Sequence, residues 1–262
     1  TKVFKGLEAA LGCEGYRLFL CCSYDDPLKE SQEVQALLER RVDGIAIAPA
    51  SLSDSVEAAN RIMANECPMV FIDRTLPELP VDSVIFDDYD GAYQAVSHLI
   101  GQGYRRIAHI AGPQTVWIAR ERLRGYMRAM ADNGLEVSAD QVIPGPLTVA
   151  GGEECMRRLL DRPTQPEAVF CVNDNVAIGA YKVLKRKGIA VPETIGLVGF
   201  SDSIDPEIME VPLTSVVQDV ERIGKQAAAL LLARMSGSNV SEDPIHQVIT
   251  THLAVRSSSL KN

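Results

Sequence analysis

Short apolar runs rich in β-branched residues alternate with longer segments of helical period from one end of the chain to the other, and this alternation constrains the fold more than any other feature. The strand-like runs are YRLFLCC (16–22), GIAIA (44–48), MVFID (69–73), SVIF (83–86), RIAHIA (106–111), AVFCVN (168–173), IGLVGF (195–200) and TSVVQ (214–218). Between them lie amphipathic segments such as KESQEVQALLERR, GAYQAVSHLIGQG, ARERLRGYMRAMADNG, GEECMRRLLDR and NVAIGAYKVLKRKG, several closing on a glycine suited to a left-handed cap. Pro68 and Pro192 fall between a helix and the next strand, where a missing N–H does no damage. The last 45 residues add a long helix, VERIGKQAAALLLARMSG, and a strand-like stretch, HQVITTHLAV. This is the pattern of parallel βαβ units, with too many strands for one comfortable sheet, and it predicts an α/β protein of two doubly wound lobes. Thr1 opens directly into the helix-like FKGLEAALGCEGY, so the first lobe lacks its usual first strand here. That strand is expected to precede Thr1, or the sequence begins inside a longer protein.

Composition narrows the function classes. At 262 residues, 46% hydrophobic and 23% charged, the chain has ample apolar surface for a core and needs no disulfides. No run approaches a membrane span, and no secretory signal is visible. The net charge of −9, with lysines and arginines scattered, would repel a phosphate backbone, so these residues alone are not expected to bind DNA. The six cysteines show no CxxC pair and no metal spacing with the four histidines. Several sit in strand-like runs and read as small buried core thiols, which favours a reducing cytoplasm. No metal and no cofactor are expected.

In open parallel sheets, ligands bind beyond the carboxyl ends of the strands. There the chain places Asp73-Arg74, Asp87-Asp88, Asn173-Asp174, Ser201-Asp202 and Gln218-Asp219. Each can cap a helix or meet a ligand, and singly the two readings are balanced. The segment IAHIAGPQTVWIARERLRGYM carries the arginines that separate best by geometry. Arg120, Arg124 and Arg128 repeat every fourth residue as one solvated ridge. Arg122 lies off that ridge and can turn inward, offering five fixed donors to hydroxyls or a carboxylate. Trp117, the only tryptophan, is either a wedge against the core or a flat face for a sugar or purine. Enzyme signatures (GxSxG, HExxH, a P-loop, GxGxxG after a strand) do not occur, and Asp87 and Asp88, being adjacent, should point apart. His98 and His109 read as packed core histidines.

VDGIAIAP, VIFDDYDGAYQAVSHLIGQGYRRIAHIAGP, RLRGYMRAM, AVFCVNDNVAIGAYKVLKRKGIAVPETIGLVGFSD, PLTSVVQDVERIGKQAAALLL and LAVRSSS, occurring in order, resemble the effector-binding part of a LacI/GalR-family transcription regulator over essentially the whole chain. The resemblance implies a periplasmic-binding-protein-like fold: two Rossmann-like lobes joined by three crossover strands, with a small effector in the cleft between them. The implied division is 1–86 plus 220–249 for one lobe and 87–219 plus 250–262 for the other, with crossings near 86, 219 and 250. It also implies a helix-turn-helix domain and hinge helix ahead of the first strand, outside these residues, through which operator DNA would be bound, and a homodimer. Carried over by motif, Arg122 of RLRGY matches the arginine that grips the effector, and Asn173 of VNDN, Asp73 of FIDR, Phe86 of VIFDD and Gln218 of VVQD match other positions facing the ligand. The family usually reads GFDD or GYDD where this chain reads GFSD, so Ser201 replaces a common effector-binding aspartate.

A ligand bearing its own negative charge would tolerate that serine better than a neutral hexose would. The expected effector is accordingly a sugar, sugar acid, sugar phosphate or purine. On this reading Arg122→Ala removes ligand binding without unfolding the ligand-free protein. The alternative is a solute-binding protein of a sugar transporter; a signal peptide ahead of Thr1 would favour it, and the six cysteines count against it.

Overall fold

The computed structural model describes residues 2–203, 205, 209–237 and 243–261. The chain forms two compact units, and it passes between them more than once. Unit 1 comprises residues 1–86, 115–117 and 219–249; unit 2 comprises 87–114, 118–218 and 250–262.

Unit 1 is built on four parallel strands in the order β1 (Ile45–Ile47), β2 (Met69–Asp73), β3 (Asp82–Phe86) and β9 (His246–Ile249). Helices α1 (Lys2–Cys13) and α8 (Val220–Met235) close one core with the sheet, through Leu7, Leu11, Val70, Val84, Ile223 and Leu231. Helices α2 (Pro27–Glu39) and α3 (Val56–Ala64) contribute to a second, around Val34, Ala58, Ile62 and Phe71. A sheet apolar on both faces explains why its strands read as continuous hydrophobic runs and not as alternation.

Residues 16–22, predicted as a strand, carry no strand pairing among the described residues. The sheet ends at β1. Its Ile45 N–H donates to Pro68 O on the β2 side, so the amide of Ala46 faces the other way, and β1 is the edge of the sheet. A strand without a hydrogen-bonded neighbour is not a strand, however apolar its sequence. Phe19 and Leu20 are instead 65% and 68% exposed. Beside the β1 edge lies a cavity of about 670 Å³ lined by Leu7, Leu11, Phe19, Ile45 and Leu231.

Unit 2 carries six strands in the order β10 (His252–Ala254), β8 (Thr214–Val217), β7 (Gly196–Ser201), β6 (Ala168–Cys171), β4 (Ile107–Ile110) and β5 (Val142–Ile143). All pair in parallel except β10, which runs antiparallel to β8. Helices α4 (Asp88–Gly101) and α5 (Trp117–Asp132) form one core with the sheet, centred on Leu99, Tyr126, Met130, Phe170 and Phe200. Helices α6 (Val149–Leu160) and α7 (Asp174–Arg186) pack on each other where Gly152 and Gly179 let the backbones meet. The HQVITTHLAV stretch, one run in sequence, divides into β9 of one sheet and β10 of the other.

The cysteine expectation holds in part. Cys155 and Cys171 are buried and Cys67 is half-buried, but Cys13, Cys21 and Cys22 are exposed, because the run containing the last two found no sheet to join. All six are free thiols. No helix among the described residues is long and apolar enough to cross a membrane.

Candidate functional site

The polar residues that follow the strands do two kinds of local work. Asp87, Asn173 and Asp219 are N-caps: their side chains accept from the amides of Asp90 (3.0 Å), Val176 (2.9 Å) and Arg222 (3.0 Å). Asp73 and Ser201 instead end β2 and β7 with φ of +66° and +102°, the left-handed region that a side chain occupies at a cost.

Four of the predicted residues, Arg122, Asn173, Ser201 and Gln218, belong to unit 2. Parallel β6, β7 and β8 bring Asn173, Ser201 and Gln218 to one edge of the sheet, and Arg122 reaches the same edge from α5. Arg122 points inward and is 2% exposed, whereas Arg120, Arg124 and Arg128 lie on the solvated face. Its Nε donates to Asp88 Oδ1 at 2.8 Å, its Nη2 lies 2.7 Å from the same oxygen, and its Nη1 donates to the carbonyl of Val172 at 2.6 Å. The guanidinium carbon sits 3.6 Å from the centre of the Phe200 ring. Asn173 Nδ2 donates to Leu147 O, and Gln218 is buried with its Nε2 lacking a partner among the described residues.

The remaining three are placed in unit 1. Asp73 is half-buried, 3.9 Å from Arg74 Nε. Phe86 ends β3 inside the apolar core, 2% exposed. Trp117 opens α5 half-buried, its indole N–H enclosed without a partner among the described residues.

Ser203, Ser215 and Arg256, which sequence reasoning did not single out, join Asp174 in extending the polar edge of unit 2. Asp174, buried, accepts from Ser203 N (2.7 Å), Ser203 Oγ (3.1 Å) and Ser215 Oγ (2.6 Å). Burial pushes its carboxyl up, against those three hydrogen bonds. Arg256 grips Asp202 with both terminal nitrogens, at 2.7 and 3.0 Å. The signal for Arg256 lay in the terminal LAVRSSS, but only tertiary pairing gives it a partner 54 residues away. Among the described residues, no group of His, Cys, Asp and Glu could hold a metal ion.

His109 lies in β4 beneath this edge, fully enclosed and stacked on Phe170 and Tyr126. It is a packed core histidine, as its sequence context predicted. Half-buried His98 hydrogen-bonds Ser259 Oγ at 2.8 Å. Burial lowers the His109 imidazole to about 4, with nearby Arg122 adding to the effect and the bond to Phe170 O opposing it. The native state therefore holds it neutral while the unfolded chain, at about 6.5, takes up a proton first. That contribution is complete above the unfolded value and is lost as pH falls towards the folded one, about 2 kcal/mol by pH 5. Urea unfolding at pH 7.5 and 5 should show this loss, and His109→Phe should flatten it; an unchanged slope in the variant would remove His109 as its cause.

Known proteins resemble this chain over most of its length. Residues 96–259 match the family model of the periplasmic binding protein-like domain. The chain is 32% identical over 241 residues to the HTH-type transcriptional repressor CytR of Escherichia coli, covering 92% of this chain and 70% of that one. It is similar in structure to a transcriptional regulator CelR in complex with cellobiose, with a TM-score of 0.89 at 34% identity, covering 98% of this chain and 78% of the other. A LacI family transcriptional regulator from Enterococcus faecium with bound ribose gives 0.86 at 25% identity, over 98% and 92% of the two chains. With a transcriptional repressor that similar over most of its length, and the same α/β architecture of parallel sheets, this chain belongs to the LacI family of transcriptional regulators as its effector-binding domain.

Proposed function

We propose that this domain binds a sugar or sugar derivative through Arg122, Asn173, Ser201 and Gln218, with Asp73, Phe86 and Trp117 as further contacts, and that binding modulates the affinity of a homodimer for operator DNA. The observation that carries the reading is the state of the buried donors. Native proteins satisfy nearly all buried polar groups, yet Gln218 Nε2 and Trp117 Nε1 each lack an acceptor among the described residues. Gln218 is a position that the family motifs align with ligand contacts, and Trp117 is the only tryptophan, whose flat face suits a sugar or purine. Hydroxyl-rich ligands supply such acceptors. The cellobiose and ribose bound to the two similar regulators support the ligand class. A ligand changes DNA affinity only by its differential affinity for the two states of the protein.

A thermal-shift screen over sugars, sugar acids, sugar phosphates, nucleosides and purines tests the proposal. A true effector at 100 times its dissociation constant should add about 2.7 kcal/mol of stability. A screen in which no member stabilises the protein would refute the reading, and sedimentation as a monomer at micromolar concentration would remove the homodimer.

A further inference from the structure

Resting on that reading, we infer that Asp88 sets the charge class of the ligand: by neutralising Arg122 it makes the site select a neutral, hydroxyl-bearing molecule and turn away sugar acids and sugar phosphates. The serine at position 201 points the other way, since it removes a carboxylate. The structure shows what compensates for that loss.

Arg122 is the one arginine that family motifs place on the ligand, and an anion would be drawn to it only if its charge were available. It is not. Asp88 lies within hydrogen-bond distance of both Nε and Nη2, and the two side chains are 2% and 1% exposed, so this is a buried, desolvated pair whose fields largely cancel. Phe200 occupies one flat face of the guanidinium and Val172 O takes an N–H of Nη1. Two of the five N–H groups stay outside these bonds, directional donors on a neutralised pair, which suits ligand hydroxyl oxygens.

Among the described residues, the other arginine at this edge of unit 2 supplies no spare positive charge. Arg256, the other arginine here, is held by both oxygens of Asp202 and also donates to Leu213 O. The N-terminus of α4 holds Asp87 and Asp88, and that of α7 holds Asp174, so these two helix-dipole ends already face carboxylates. Counting the groups named here, two arginines face Asp87, Asp88, Asp174 and Asp202. Even with Asp174 protonated, the balance is not positive. An incoming carboxylate or phosphate would lose its hydration without gaining a free counter-ion.

The test is titration calorimetry with pairs that share a ring skeleton and differ by one anionic group: ribose and ribose 5-phosphate, glucose and glucuronate, adenosine and adenosine monophosphate. Within any pair that binds, the neutral member should be at least about tenfold tighter. In Asp88→Asn, which keeps the size and an acceptor oxygen for Arg122, the preference should shrink or reverse. A role of Asp88 limited to folding would weaken both members equally. The inference is overturned if the anionic member binds wild-type protein as tightly as its neutral partner, or if a folded Asp88→Asn keeps the wild-type ratio; both outcomes leave the effector reading standing. Should Asp88→Asn not fold, the wild-type ratios decide alone. Binding by no member of any pair would sink the effector reading and this inference with it.

Discussion

Replacing Arg122 with alanine should destabilise the ligand-free protein by about 3–5 kcal/mol, because it strands the Asp88 carboxylate at 1% exposure with its counter-ion gone. This revises the sequence-based expectation that the substitution would leave folding intact. The variant also removes the flat cation from Phe200 and leaves the Val172 carbonyl without the Nη1 donor. If the cost comes from the abandoned charge, then removing both members should recover much of it, since well-packed apolar residues of similar volume commonly replace a buried pair at little loss. Arg122→Met combined with Asp88→Leu is therefore expected to be more stable than Arg122→Ala. Urea unfolding of Arg122→Met, Asp88→Leu and the double gives the coupling directly. A loss below about 1 kcal/mol in Arg122→Ala would mean that the pair is open to solvent.

Gly179→Ala should be of comparable severity, roughly 3 kcal/mol or more, although alanine is the better helix former by up to about 1 kcal/mol. A β-carbon on Gly179 would overlap the backbone carbonyl oxygen of Val149, and one on Gly152 would overlap that of Val176. The obstacle is main chain on a neighbouring helix, so no rotamer change relieves it; α6 and α7 must separate and give up packing along their length. Gly12 is the control. Nothing lies within 4 Å of its would-be β-carbon near the end of α1, so Gly12→Ala should stabilise by about 0.5–1 kcal/mol. Equal effects at the two sites would show that helix propensity, and not contact between backbones, governs both.

What the sequence made legible follows from the physics of each signal. Buried parallel strands must be apolar on both faces, so β2, β4, β6 and β7 announce themselves as hydrophobic runs. That signal reports burial and not pairing, which is why residues 16–22 read as a strand and why HQVITTHLAV conceals a change of partner sheet. The two-residue β5 lies below the length at which periodicity exists. At the site, helical geometry separated Arg122 from its three solvated neighbours, because that distinction is local. Asp88 was seen only as half of an adjacent acidic pair. The expectation that Asp87 and Asp88 diverge was right, one capping α4 and the other meeting Arg122, but a partner 34 residues away is a property of the fold. The opposing signs read from Ser201 and from Asp88 have the same origin: a residue's charge is written in the sequence, its neutralisation is not.

The return of the chain to unit 1 after residue 218 has a consequence for how the protein can be made. Strand β9, which pairs along β3 with Ser83 opposite His246, is synthesised after the whole of unit 2 except its final segment. During translation the apolar edge of β3 must therefore wait, uncovered, while residues 87–245 are still to emerge. The nascent chain spends that interval with a sticky margin on display, when helpers that shield such margins would matter most.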